Sequence, residues 1–189
     1  MKALNPWGLL PNLTTLADEL KAAGYMTYAV GKWHLGFCNK DYLPLNRGFD
    51  HHYGFWAGSQ DYYEHKHMMH RGYDFRDDME VDQEARGLYS TTLFSKRAEK
   101  IISSHNQSSP LFLYLAFQAV HAPLEAPQNF VDMYKKVPDK DRRVYLGMVT
   151  SMDDAVGHVV DSLKRSNMYH NTIIVFFSDN GAAKGLGNN

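Results

Sequence analysis

Lys32 and His34 stand two residues apart, just after a short run rich in β-formers at residues 26–30, with Gly31 leading the turn. A cation and a titratable imidazole leaving one strand end together could hold an anion and move a proton. His121, in Gln118-Ala119-Val120-His121-Ala122-Pro123, follows the continuous apolar run 111–117 in the same way. Asp179 and Asn180 follow a third such run, 172–177. Open parallel sheets bind ligands beyond the carboxyl ends of their strands, so neighbouring strands would bring all three sets to one edge. Each residue also has a plainer reading. Asp179-Asn180-Gly181 offers hard oxygen donors suited to Ca²⁺ or Mg²⁺, or is an ordinary Asn-Gly turn. His121 holds an anion or acts as a general acid, or is a loop histidine satisfied by its own surroundings. Lys32 is an anion ligand or a solvated lysine. One carboxylate holds a divalent cation poorly, so a metal here needs further ligands from elsewhere.

The elements that would carry these groups are legible from periodicity. Leu13, Leu16, Ala17 and Leu20 recur at helical spacing after Asn12, a candidate N-cap, and Gly24 sits where such a helix should stop. Residues 37–85 read as aromatic, histidine-rich loops with one short helix. Residues 88–104 are helical through Leu88, Leu93, Phe94, Ala98, Ile101 and Ile102. The run 111–117 reads as a strand buried on both faces. A long helix is predicted over 141–166, with Leu146, Val149, Met152, Val156, Val159, Val160 and Leu163 as its apolar stripe, and a strand over 172–177. Alternating helices and fully apolar strands predict an α/β fold with a mostly parallel sheet between helices.

The chain has 189 residues, enough for one domain with a real core. Lys and Arg number 20 against 21 Asp and Glu, so no basic field suggests nucleic acid. The apolar runs are too short to span a bilayer, and residues 1–7 hold no signal-peptide core. Cys38 is the single cysteine, which excludes an internal disulfide framework. Asn12-Leu13-Thr14 and Asn106-Gln107-Ser108 are glycosylation sequons. Glu64-His65-Lys66-His67-Met68-Met69-His70 reads as incidental surface histidines or as a copper or zinc site.

The segment Gly24-Tyr25-Met26-Thr27-Tyr28-Ala29-Val30-Gly31-Lys32-Trp33-His34 resembles the second signature of the sulfatase family, G-Y-x-T-x-x-x-G-K-W-H. Further stretches, in order, resemble its arylsulfatase B branch over nearly the whole chain: Pro6-Trp7-Gly8-Leu9, Arg47-Gly48-Phe49-Asp50, Asp61-Tyr62-Tyr63, Pro110-Leu111-Phe112-Leu113-Tyr114-Leu115, the His121 segment, Gly147-Met148-Val149 with Met152-Asp153, and Ser178-Asp179-Asn180-Gly181. The resemblance implies an alkaline-phosphatase-like sulfatase fold and hydrolysis of sulfate esters by a formylglycine made from a cysteine, with Ca²⁺ polarising the sulfate. It implies that Asp179 and Asn180 are two Ca²⁺ ligands, that Lys32 binds sulfate oxygens, and that His34 contacts the formylglycine. His121 would bind sulfate and help the leaving group depart. The implied substrates are sulfated sugars of glycosaminoglycans or aryl sulfates, and the implied location is the lysosome or the exterior.

The family's C-x-P/A-x-R motif lies upstream of the G-Y-x-T segment, and the 23 residues before Gly24 hold no cysteine. Cys38 lies downstream, without the motif's proline or arginine. The paired aspartates that complete the family's Ca²⁺ site have no counterpart, and Lys184 comes too early to be its later active-site lysine. Residues 1–189 are therefore expected to be the middle of an N-terminal catalytic domain, incomplete and inactive alone, without its first strands or the C-terminal domain. Two alternatives remain: a metal phosphoesterase of similar architecture, and a non-catalytic paralogue that binds sulfated glycans.

Overall fold

The computed structural model describes residues 6–69 and 71–181. Helix α1 (Leu16–Ala22) is nucleated by Thr15, whose hydroxyl accepts from the Asp18 N–H while Asp18 accepts from the Thr15 N–H, a reciprocal capping box. Thr15, not Asn12, is therefore the N-cap: its side chain lies three residues before a carboxylate that can reach back. Gly24 ends the helix as expected, at φ +90°.

Five strands form one sheet in the order β4-β3-β2-β1-β5. They are β1 (Met26–Lys32), β2 (His51–Phe55), β3 (Arg76–Asp77), β4 (Glu80–Val81) and β5 (Leu111–Ala116). Both neighbours of β1 run parallel to it, and β3 and β4 add an antiparallel hairpin beyond β2. The sheet is thus mostly parallel, as the alternation of elements implied. Strand β2 lay hidden in the region read as loops, because His51-His52-Tyr53-Gly54-Phe55 has no aliphatic run. In place of the one short helix expected, that region holds two short 3₁₀ helices, Lys40–Tyr42 and Pro44–Asn46.

Alternate residues of β1 feed two cores. Val30 packs with Tyr53, Phe55, Phe94 and Ile101 under α2 (Ser90–Ser104). Ala29 packs with Ala17, Trp33 and Phe49 on the α1 face. Arg47 is 2% exposed, and its guanidinium donates to the Leu9 and Leu13 carbonyls at 2.7 Å each, tying the N-terminal loop down. Asp50 accepts from the Thr27 N–H at 2.9 Å and pairs with Lys21 at 2.8 Å.

After the short α3 (Gln128–Asp132), α4 (Lys140–Arg165) is capped by Asp139. Its fully buried face is Gly147, Met148, Ser151, Ala155, Ser162 and Leu163. Only Leu163 of the expected stripe is fully buried. Small residues let α4 approach α2 closely, where Ser95 donates to the Ala155 carbonyl and Ser162 to the Glu99 carbonyl. The bulkier valines and Met152 are left half-covered.

The run 172–177 forms no strand. Strand formation needs a laddered partner, and among the described residues the second edge of β5 has none. Ile173, Val175, Phe176 and Phe177 are 67–92% exposed. For the same reason β5 is half-buried along most of its length instead of enclosed.

Candidate functional site

Gly31, Lys32, Trp33 and His34 are shaped by crowding across the three parallel strands. Gly31 pairs with Gly54 on one side and Ala116 on the other, at φ +112°. A Cβ on Gly31 would lie 1.9 Å from the Ala116 carbonyl oxygen, and one on Gly54 would lie 2.1 Å from that of Gly31. Only glycine fits there. Beyond it Lys32 is the last residue of β1, and the Trp33 N–H donates to the Phe55 carbonyl at 2.9 Å. The buried Trp33 indole donates to the Tyr42 carbonyl at 2.8 Å.

His34 adopts φ +57°, an uncommon left-handed backbone for a residue with a side chain. Its N–H donates to the Trp56 carbonyl at 3.1 Å. Its ring lies against Gly58, where a Cβ would stand 2.5 Å from Nε2. The chain that turns out of β1 is therefore matched to the chain leaving β2.

Lys32 is half-buried, and burial pulls its pKa below the ordinary lysine value. The Asp179 carboxylate opposes that shift, so it lies within electrostatic reach of the ammonium. Asp179 also faces Tyr114 on β5, whose phenol is pushed up by burial first and by Asp179 second. The 178–181 turn thus comes to the carboxyl edge even though 172–177 is unladdered. The turn itself is exposed. Ser178 donates to the Asn180 carbonyl at 2.6 Å and the Asn180 amide donates to the Gly181 carbonyl at 2.8 Å. Asp179 and Asn180 fit a hard cation in kind, as oxygen donors, but not in number. Among the described residues no group of three or more His, Cys, Asp or Glu side chains could hold a metal ion.

His121 follows β5 on a turn closed by its own N–H to the Gln118 carbonyl at 3.0 Å. Its ring is exposed, with Nδ1 2.7 Å from the Ala122 carbonyl oxygen. Beneath it, the fully buried Tyr62 directs its hydroxyl at the His121 carbonyl, 2.8 Å, and the Gln118 carbonyl, 3.2 Å. Gln118 donates to the Gln60 carbonyl at 2.5 Å and accepts from Ser90 at 3.2 Å. Lys32 and Asp179 thus lie within electrostatic reach of one another, while His34 and His121 are each seated on the segment that follows β2. Sequence reasoning singled out neither Tyr62 nor Gln118 for a role, although both lie inside quoted motif stretches.

The remaining candidates are placed plainly. His65 and His67 are buried, not surface residues: His65 Nε2 donates to the Ala85 carbonyl at 2.9 Å and its ring lies 4.4 Å from that of Phe75. Cys38 is exposed on a loop, as are the sequon residues Asn12 and Asn106. His70 and Lys184 fall outside the described residues. Among the described residues no helix is long and apolar enough to cross a membrane.

Comparison with known proteins gives this edge a lineage. Arylsulfatase J of Mus musculus is 43% identical over 171 residues, covering 88% of this chain and 29% of that protein. N-acetylgalactosamine-6-sulfatase of Mus musculus is 33% identical over 190 residues, covering 93% of this chain and 34% of that protein. The chain therefore spans about a third of the length of these curated relatives. Among solved structures, Ps i-CgsB in complex with k-i-k-neocarrahexaose superposes with a TM-score of 0.81 at 30% identity, covering 88% of this chain and 40% of that one. The fold and the order of motifs agree with a family profile described as Sulfatase, which matches residues 2–188: the chain belongs to the sulfatase family.

Proposed function

We propose that residues 1–189 are the middle of the N-terminal catalytic domain of a sulfuric ester hydrolase of the arylsulfatase type, acting on sulfated sugars or aryl sulfates. The observation that carries this reading is the half-buried Lys32 ammonium at the carboxyl edge, within electrostatic reach of Asp179 and two residues before His34. A partly desolvated cation binds an anion more strongly than a solvated one, because the local dielectric is lower. Lys32 would hold sulfate oxygens and stabilise the charge that develops as the S–O bond breaks. His34, fixed by its main chain and by Gly58, would face the family's formylglycine and move a proton at that side chain. His121, exposed after the next strand, would protonate the departing sugar or aryl oxygen. Asp179 and Asn180 would supply two of the oxygens for Ca²⁺, which when bound draws electron density from the sulfate. The remaining Ca²⁺ ligands and the formylglycine would come from sequence beyond these residues, since Cys38 sits on an exposed loop and outside the required motif.

The names of the relatives favour a sulfated amino sugar or an aryl sulfate as the ester class. The exposed sequons at Asn12 and Asn106 accord with a lysosomal or secreted glycoprotein. The test joins the chain to an upstream family segment that supplies the formylglycine cysteine and the paired aspartates. The 189-residue chain alone should release no 4-nitrocatechol from its sulfate, and the joined, matured enzyme should do so in a Ca²⁺-dependent manner. Lys32→Ala should then lower kcat/KM by about 10²–10³-fold. Unchanged turnover in that variant would sink the assignment of Lys32.

A further inference from the structure

We propose that the segment 56–62, which carries none of the candidate catalytic groups, is the template that sets His34 and His121 relative to one another, with Asp74 and Tyr62 as its positioning residues. The geometry rests on hydrogen bonds and close packing alone. The functional meaning of the two histidines rests on the sulfatase reading above.

The segment leaves β2 at the carboxyl edge and is gripped at its start by Asp74. That carboxylate accepts the Trp56 N–H at 3.1 Å and the Ala57 N–H at 2.8 Å. Its side chain is 16% exposed, and Arg76 stands 3.9 Å away. The Arg76 guanidinium lies 4.0 Å over the Trp56 ring, so backbone and side chain of Trp56 are both held. Burial pushes the Asp74 carboxyl up and the two N–H donors pull it back, so those bonds favour its charged form.

What Trp56 then does is local to His34. Its carbonyl accepts the His34 N–H at 3.1 Å, closing the turn in which His34 holds φ +57°. Two residues on, Gly58 forms the floor on which the His34 ring lies. A left-handed histidine is strained and persists only where neighbours over-determine it. Here the neighbours are Trp56 and Gly58, and Asp74 holds the backbone that leads into both.

The far end of the segment does the same for His121. The Tyr62 N–H is held by Glu125 at 2.7 Å, and the Tyr89 hydroxyl donates to the Glu125 carbonyl at 3.0 Å. Tyr62 in turn holds the carbonyls on both sides of the Gln118–His121 turn, and the Gln60 carbonyl takes the Gln118 amide. Only Ser59 therefore separates Gly58, which supports one histidine, from Gln60, which holds the turn of the other.

The imidazole resonances of His34, His121 and His51 in the 189-residue chain provide the test, at fixed pH. His51 is exposed, stacks on Tyr28 near the amino end of β2, and serves as the internal control. Asp74→Ala and, independently, Gly58→Ala should shift the His34 signals and leave His51 in place. Tyr62→Phe should shift His121 and leave His51 in place. Asp74→Asn, which keeps an oxygen acceptor, should return the His34 signals towards those of the parent. Unmoved His34 signals in both Asp74→Ala and Gly58→Ala, with the fold intact by circular dichroism, would overturn the proposal. So would equal shifts at all three histidines, which mark general loosening. In the joined, matured enzyme Asp74→Ala should lower kcat about tenfold with KM unchanged. The spectroscopic result does not depend on any sulfatase activity, so failure of the two readings is separable.

Discussion

Two parts of the carboxyl edge contrast sharply. Around Lys32 and His34 the Trp33 and His34 N–H groups donate to the Phe55 and Trp56 carbonyls, and Gly31 and Gly54 admit no side chain. Around Asp179 and Asn180 the preceding run 172–177 has apolar side chains in solvent and no ladder among the described residues. Both parts contribute to one electrostatic neighbourhood, since Asp179 reaches Lys32. The Lys32 half of the candidate site is built into a sheet that folds around β1. The Asp179 half follows a segment with the composition of a strand and, among the described residues, no strand's bonds. The two halves of the candidate site thus come within electrostatic reach while only the Lys32 half is laddered into the sheet.

The largest expected effect tests the fixed half. Gly31→Val should destabilise by more than about 4 kcal/mol or abolish folding, because its side chain would overlap the Ala116 carbonyl. Chemical denaturation giving a loss under about 1 kcal/mol would show that the three strands are looser than described. Arg47→Met should cost roughly 3 kcal/mol, since it leaves two loop carbonyls without their charged donor. Phe176→Ser, in the exposed run, should change unfolding free energy by no more than about 0.5 kcal/mol, and a cost like that of Arg47→Met would erase the contrast.

A pH titration sharpens the same point through His52. This ring is 2% exposed, neither of its nitrogens has a hydrogen-bond partner of good geometry, and its pKa falls from 6.5 to about 4. Burial is the main cause, only partly offset by the Gly31 backbone and by Asp78. A folded pKa below the unfolded one means the unfolded chain takes the proton first. The associated stability, about 3 kcal/mol, is therefore full above pH 6.5 and lost as pH falls from there to about 4. His52→Gln should flatten that slope, and an unchanged slope would show the histidine is not its source. The smallest effect is at the junction of the two halves. Asp179→Asn should lower the Lys32 pKa further, because Asp179 is what now raises it. An unchanged Lys32 titration would show that the 178–181 turn does not face the lysine.

The sequence made the β1 edge legible because its constraints are local. Gly31 and the strand before it are adjacent in the chain, and so are Lys32 and His34, so composition and spacing reported them together. Strand β2 was not legible, since it lacks aliphatic residues and is a strand because β1 pairs with it in register. The α4 stripe misled for a related reason: periodicity identifies the bulkiest face, whereas contact with α2 buries Ala155 and Ser162. Buried His65 and His67 were read as loop surface because histidine composition says nothing about the Ala85 carbonyl and the Phe75 ring that surround the first of them.

The sequence by itself determined the α/β class and the family, and it singled out Lys32, His34, His121, Asp179 and Asn180 as the candidates proposed to bind sulfate, move protons and hold a hard cation. Those depend on residue type, spacing and short-range periodicity, all of which are written along the chain. Tertiary structure alone decided that the histidines share one supporting segment, that Asp74 and Tyr62 anchor it, and that an apolar run with every strand propensity stays unladdered. A strand's bonds and a buried side chain's partners come from elsewhere in the chain, and their free energy exists only once those distant segments meet.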